Sequence, residues 1–260
     1  IRDVVCPDAP FGLGLRLSHQ AAQELAVPGT LAAFKQYLAE QSLYAFTING
    51  FPYGSFHGSP VKQDVYKPDW RHPKRLAYTC QVANILAALL PEGIAGSIST
   101  VPASYKAWIS SEADRRIMMD HLTTCAAHLA DLEARTGREI HLGLEPEPDC
   151  YIETTAETIA FLTELFRAGA LHLAKTRGHS FDTAETLLRR HIGICFDTCH
   201  LALQYEDLAH SLQALKDAEI RVSKVQLSAA LHTHGSEANR RHLAEFNDPV
   251  YLHQVKIRQS

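Results

Sequence analysis

Six short apolar runs, separated by longer stretches with helical periodicity, constrain this chain more than any other feature. They cover residues 13–17, 43–48, 94–101, 140–144, 192–196 and 222–227, and they close at Ser18, Asn49, Pro102, Glu145, Asp197 and Ser228. Such runs are short for helices and mostly continuous rather than alternating, the pattern of strands covered on both faces of a parallel sheet. A weaker run over 250–257 is expected to add a further strand. Between the strands, residues 76–90 and 117–132 carry apolar side chains at helical spacing. Thr154-x-x-Glu157 and Asp182-x-x-Glu185 read as capping boxes opening two more helices. Strand–helix alternation at this rhythm predicts an α/β fold with a parallel sheet.

Two architectures satisfy that alternation. A doubly wound sheet normally announces a bound nucleotide by a glycine-rich turn after a strand, and neither G-x-G-x-x-G nor a phosphate-loop sequence occurs. Polar residues instead stand at the ends of successive strands, where an α/β barrel places its active site. The 260 residues suit one such barrel, and 46 % hydrophobic residues suffice for its core. The expectation is a single (β/α)8 barrel domain over 1–260, with strands of a closed eight missing at both ends.

Chemistry concentrates at three strand ends. His141-Leu-Gly-Leu-Glu145-Pro-Glu147-Pro runs an apolar strand straight into a carboxylate. Glu145 is therefore a candidate metal ligand and catalytic base; the plain alternative is a strand-end carboxylate paired with a basic neighbour. Glu147 reads as a turn or supporting residue. In Ile192-Gly-Ile-Cys-Phe-Asp197-Thr-Cys-His200, a carboxylate ends the strand and an imidazole follows in the next turn. That pair suits a divalent ion, Mn, Zn, Mg or Co, although Asp197 could merely cap a helix. Cys195 reads as core, and Cys199 as a soft ligand less favoured than a bystander. Gln226 offers an amide to a metal or a substrate. His232 and His234 follow in a polar loop and are expected to be exposed.

The segment from Asn49 to Trp70 leaves a strand end and runs without periodicity, rich in aromatic residues and glycine. Loops of that length are uncommon and often functional. It is expected to close over the site as an aromatic lid, with Asn49 and His57 facing the ligand.

A net charge of −4 argues against a nucleic-acid surface. No apolar run is long enough to span a membrane. Six cysteines without a C-x-x-C pair read as reduced thiols, which favours a cytoplasmic protein. The chain begins at Ile1 rather than Met, so the lack of a visible secretory signal says little.

Leu144-Glu-Pro and Asp197-Thr-Cys-His200 resemble the xylose-isomerase-like superfamily of sugar isomerases, ketose epimerases and endonuclease IV. More narrowly, the stretch from Thr47 to Gly58, Gly96-Ser-Ile-Ser-Thr-Val-Pro102, Leu144-Glu-Pro-Glu-Pro148 and Lys224-Val-Gln-Leu-Ser228 resemble the metabolite traffic family EboE. The superfamily likeness implies metal ligation by Glu145, Asp197 and Gln226, the last standing where relatives carry His, with His200 as ligand or substrate contact. A final-strand Glu, ligand and second proton-transfer carboxylate in epimerases, has no counterpart here. The resemblance implies a metal-dependent isomerase or epimerase acting on a small metabolite, polyol-like or prenylated. A non-catalytic metabolite carrier is the alternative. An endonuclease is less favoured, because the early strand ends carry Ser18, Asn49 and Thr100 rather than histidines.

Overall fold

The computed structural model describes residues 1–54, 62–247 and 252–258. Six strands form one sheet: β1 (Phe11–Arg16), β2 (Leu43–Asn49), β3 (Gly96–Thr100), β4 (Ile140–Leu144), β5 (Ile192–Asp197) and β6 (Arg221–Gln226). Neighbours pair in parallel in the order β1-β2-β3-β4-β5-β6. Helices α1 (Arg2–Val5), α2 (His19–Leu25), α3 (Pro28–Glu40), α4 (Pro73–Leu89), α5 (Glu112–Thr136), α6 (Thr155–Arg177), α7 (Phe181–His191), α8 (Thr198–Leu203), α9 (Leu208–Asp217) and α10 (Glu237–Ala244) complete the chain order.

Sequential parallel order is compatible with a flat sheet or a barrel, and side-chain reach decides between them. Lys224 on β6 hydrogen-bonds Ser99 on β3 at 3.3 Å. Those strands would lie about 14 Å apart in a flat sheet, beyond the reach of a lysine. Gln226 likewise reaches past β5 to Glu145 at the end of β4. The sheet is thus a curled arc of a (β/α) barrel, as the sequence predicts, and it does not close among the described residues. Its convex face is sealed by the helices: Met118, Leu122 and Leu129 of α5 and Phe161, Leu165 and Phe166 of α6 are buried with Ile98, Ile140, Leu142 and Leu144 of the strands.

Glycines at two points permit the tight curl. A Cβ on Gly143 would lie 2.9 Å from the Cys195 nitrogen, and one on Gly193 would collide with the Arg221 carbonyl. Neither obstacle is a movable side-chain tip. Gly193→Ala should therefore destabilise the fold by about 1–3 kcal/mol, read as a lower midpoint in thermal or urea denaturation; an unchanged midpoint would show that the β5–β6 contact has slack.

Several expectations need correction. The run over 250–257 forms no strand: residues 252–258 are irregular, and 250 and 251 lie outside the described residues. The segment is held by side chains instead. Gln254 donates to the Pro148 carbonyl at 2.7 Å, and Lys256 pairs with Asp149 and Glu153 at 2.7 Å each. The Thr154/Glu157 capping box forms at the start of α6. The Asp182/Glu185 box does not: Ser180 caps α7, accepting from the Thr183 nitrogen, and Glu185 pairs with Arg189 one turn on. Ser is as good a cap as Asp, and it lies where the chain turns from extended to helical. Helices α2 and α3 add to the expected set; α3 turns Leu31, Phe34 and Leu38, spaced i, i+3 and i+7, toward the core. No described helix is long and apolar enough to cross a membrane.

Candidate metal centre

Strand β4 delivers Glu145 just past its last residue, where the Glu145 N–H still donates to the Thr100 carbonyl at 3.0 Å. Strand β5 ends on Asp197, which also caps α8 by accepting from the Cys199 N–H at 3.0 Å. Strand β6 ends on Gln226. The three side chains converge. The Gln226 Nε2 donates to Glu145 Oε1 at 2.7 Å and to Asp197 Oδ2 at 2.8 Å. One amide nitrogen thus lies between two buried carboxylates. Asp197 Oδ1 also accepts from the Ser228 hydroxyl.

His200 sits in the first turn of α8. Its Nδ1 lies 3.1 Å from the Pro146 carbonyl and 3.8 Å from Glu145 Oε1. A carbonyl only accepts, so Nδ1 carries the proton; in the neutral ring Nε2 keeps its lone pair. One ligand atom from each of Asp197, Cys199 and His200 lies within 4.8 Å of the others. Cys199, set aside on sequence alone, is therefore part of the cluster, while Cys195 is buried beneath Glu145 as expected.

Glu145 is 5 % exposed, and its Oε2 has no partner among the described residues. A buried carboxylate oxygen left bare is costly, so this atom either carries a proton or faces a cation. Burial is the main force raising the Glu145 pKa to about 7; Glu147 and Asp197 add to it, and His200 and Lys224 oppose it. Because Oε1 is engaged by Gln226, the proton belongs on Oε2. Burial alone would raise Asp197 too, but His200 and the hydrogen bonds from Ser228 and Cys199 outweigh it and hold the carboxyl below its usual range. The pair is thus one ionised and one proton-holding carboxylate near neutrality, an arrangement that fits a divalent ion displacing the proton.

A stability consequence follows for the metal-free protein. Between pH 4.5 and about 7 folded Glu145 holds a proton that the unfolded chain has released. Its stabilisation is full below 4.5 and lost as pH rises through 7, a fall of about 3 kcal/mol. Denaturation of the chelator-treated protein across this window should show the fall, and Glu145→Gln should remove most of it. A wild-type stability flat between pH 4.5 and 7.5 would contradict this assignment.

Beside the carboxylates lies a cavity of about 220 Å³, walled by Glu145, Glu147 and His200 on one side and by Arg16, Asn49, Lys62, Phe51, Val65, Tyr66 and Leu252 elsewhere. Asn49 spends its carbonyl on the Phe51 N–H at 3.0 Å, which leaves its amide hydrogens to point at a ligand. Glu147 is raised by burial and is hydrogen-bonded by Tyr66 and Gln254. Lys224 shares the inward face of β6 with Gln226, and Arg16 ends β1 as Asn49 ends β2. Strand periodicity of two, followed back from Gln226, would have found Lys224; nothing local marks Lys62 or Leu252.

The described part of the loop lines the cavity with Asn49, Phe51, Pro52, Lys62, Val65 and Tyr66, and its rings are packed rather than free. Phe51 is 8 % exposed and packs edge-on against Tyr66, which stacks on Tyr105. Tyr53 stacks on His19 at 4.4 Å between centroids. Trp70 is fully buried and donates to Thr100. Phe51 and Tyr66 line the cavity, and the other rings anchor the loop. His57 and Phe56 lie outside the described residues. His232 and His234 are exposed.

No protein-family model matches the chain, and no curated protein matches it in sequence. Solved structures do resemble it. One is the probable 3-DHS dehydratase AsbF, involved in petrobactin synthesis, from Bacillus anthracis, at 17 % identity and TM-score 0.47, covering 79 % of this chain and 59 % of that one. Another is IOLI protein with a bound zinc atom, at 14 % identity and TM-score 0.47, covering 80 % and 60 %. A third is a xylose isomerase-like TIM barrel protein from Mycobacterium smegmatis in complex with magnesium, at 17 % identity and TM-score 0.44, covering 75 % and 55 %. This chain therefore spans under two thirds of the length of each, and likeness at that level shows neither substrate nor metal for it.

Proposed function

We propose that this barrel arc carries metal-assisted acid–base chemistry on a small oxygen-rich metabolite, of the sugar isomerase or epimerase kind. The observation that supports it most is the buried, unpartnered Glu145 Oε2 beside ionised Asp197 and His200 at the wall of a cavity. Asp197, His200 and Glu145 would hold a divalent metal, with Gln226 a fourth candidate if its amide turns to present oxygen. Bound there, a metal polarises a substrate carbonyl and acidifies the neighbouring carbon. Glu145 would ligate through one carboxylate oxygen and take and return a substrate proton at the other; its pKa of about 7 belongs to the metal-free carboxyl, and a bound cation would lower it. Asn49 donates to substrate oxygens from the opposite wall, and the Lys224–Ser99 contact places a cation in the barrel lumen beneath.

Cavity size favours a polyol-like ligand over a prenylated one. About 220 Å³ is below the ~300–1,000 Å³ usual for drug-sized molecules. Polar side chains hold one wall, and Phe51 and Tyr66 offer an apolar face to the CH groups of a sugar. His57 stays a proposed substrate contact on sequence grounds alone, and the EboE-type reading likewise rests on the segments quoted above. We infer small-molecule rather than nucleic-acid binding and a cytoplasmic setting from charge and cysteine content.

A second reading, a non-catalytic metabolite carrier, is favoured by one detail. Gln226 already bridges one oxygen of each carboxylate without any ion. Deuterium exchange separates the two. Protein supplied with Mn2+ or Zn2+ in D2O should wash deuterium into a carbon adjacent to the carbonyl of a bound ketose, seen by NMR, and Glu145→Gln should abolish the exchange. A ketose that binds without exchanging would favour the carrier.

A further inference from the structure

We propose that Cys199 is a thiolate ligand of the metal held by Asp197 and His200, and that the centre therefore selects a zinc-like ion over magnesium. This rests on the metal-site reading above and narrows the ion it takes. Asp197, Cys199 and His200 offer an oxygen, a sulfur and a nitrogen whose ligand atoms lie within 4.8 Å of one another. Donors around one four-coordinate ion are mutually closer than that, so a small rotamer adjustment closes the set. The spacing comes from the chain path: Asp197 ends β5, and Cys199 and His200 fall in the first turn of α8, whose start is fixed by the Asp197 cap.

A second, independent observation points to a cation here. Glu145, on another strand, is buried with Oε2 unpartnered, and its Oε1 stands 3.8 Å from His200. Asp197, Cys199 and His200 would supply three donors of mixed type from one segment, and Glu145, on a second strand and outside that 4.8 Å set, would have to move in to add a fourth. Magnesium takes oxygen donors in octahedral geometry and does not favour sulfur. Zinc and cobalt accept the O, N, S set readily. On binding, the Cys199 thiol transfers its proton to solvent and the thiolate takes its place in the coordination sphere.

Cobalt(II) reads this directly. The chelator-treated protein titrated with Co2+ should develop visible d–d bands and, in the near ultraviolet, a thiolate-to-cobalt charge-transfer band. Cys199→Ser should keep the d–d bands and lose the charge-transfer band, with Zn2+ affinity lowered by at least the ~10–100-fold that supporting residues alone cost and Mg2+ affinity unchanged. Stoichiometric Co2+ binding without a charge-transfer band in wild type would overturn the thiolate ligand while leaving the metal site standing. A charge-transfer band that survives in Cys199→Ser would assign the sulfur to another cysteine and overturn it as well. Failure to bind Co2+ at all would bring down the metal-site reading itself. If Cys199→Ser does not fold, zinc-edge X-ray absorption of the wild-type Zn2+ complex decides: one sulfur scatterer at about 2.3 Å is required, and a shell of oxygen and nitrogen alone overturns the proposal.

Discussion

Replacing Asp197 by Ala is expected to lower divalent-metal affinity by more than about 100-fold, because supporting residues alone typically cost 10–100-fold and Asp197 is placed as a ligand. The side chain is 7 % exposed and every oxygen is engaged. Oδ2 takes one hydrogen of the Gln226 amide, and Oδ1 takes the Cys199 N–H and the Ser228 hydroxyl. The residue thereby joins the end of β5, the start of α8 and the end of β6. Truncation removes a ligand, unlocks the Gln226 amide and strips the cap from α8, so a stability loss of about 1 kcal/mol should accompany the loss of metal. Asp197→Asn separates the effects: the cap survives, while the charge that attracts the ion is gone. Equilibrium dialysis with metal analysis should find both variants depleted and only the Ala variant less stable. Equal metal content in wild type and Asp197→Ala would show that Asp197 is no ligand.

Arg75→Met is expected to cost about 3–5 kcal/mol of stability, because three buried carbonyls lose their donor at ~1–3 kcal/mol each, offset in part by removing a terminal nitrogen that itself has no partner among the described residues. Arg75 on α4 is fully buried. Its Nε donates to the Pro68 carbonyl at 2.7 Å, and one terminal nitrogen donates to the carbonyls of Gly50 and Phe51 at 2.8 and 3.0 Å. Burial lowers its pKa to about 10, still well above neutrality, with Tyr78, Asp69 and Tyr53 working the other way. The guanidinium lies within 6 Å of the Tyr53 and Tyr78 ring centroids. Methionine leaves three carbonyls without a donor in a space water does not reach. For a chain of this size the melting temperature should fall by roughly 6–20 °C. Because Gly50 and Phe51 adjoin Asn49 and the cavity wall, ligand affinity should drop as well. A melting temperature within 2 °C of wild type would mean that the loop is held by its rings alone.

The barrel strands were legible because each is a short apolar run ended by a residue of different character. The run over 140–144 matches β4 (Ile140–Leu144) residue for residue, and the others shift by one or two. Glu145 and Asp197 were legible for the same reason: a polar residue closing a buried strand stands at the barrel mouth; Gln226 lies inside its run and ends β6. What escaped was set by contacts distant in sequence. Whether Ser180 or Asp182 caps α7 depends on where the chain turns, not on which is the better cap. The rings of the segment from Phe51 to Trp70 read as a lid because the sequence shows no Arg75 reaching across from α4 to hold its backbone. Residues 252–258 have strand-like composition, yet Gln254 and Lys256 find side-chain and carbonyl partners around the β4–α6 connection in place of a strand. Cys199 was passed over because its value as a ligand depends on the α8 turn that places it beside Asp197 and His200.

The central claim is that the ends of β4, β5 and β6 form one metal centre opening on the cavity. Anomalous X-ray diffraction from crystals soaked in Zn2+ tests it most directly. A single strong peak is expected between Glu145, Asp197 and His200, with the Gln226 amide nitrogen displaced from between the two carboxylates. A peak elsewhere, or fully ordered carboxylates still bridged by Gln226 at saturating Zn2+, would contradict it.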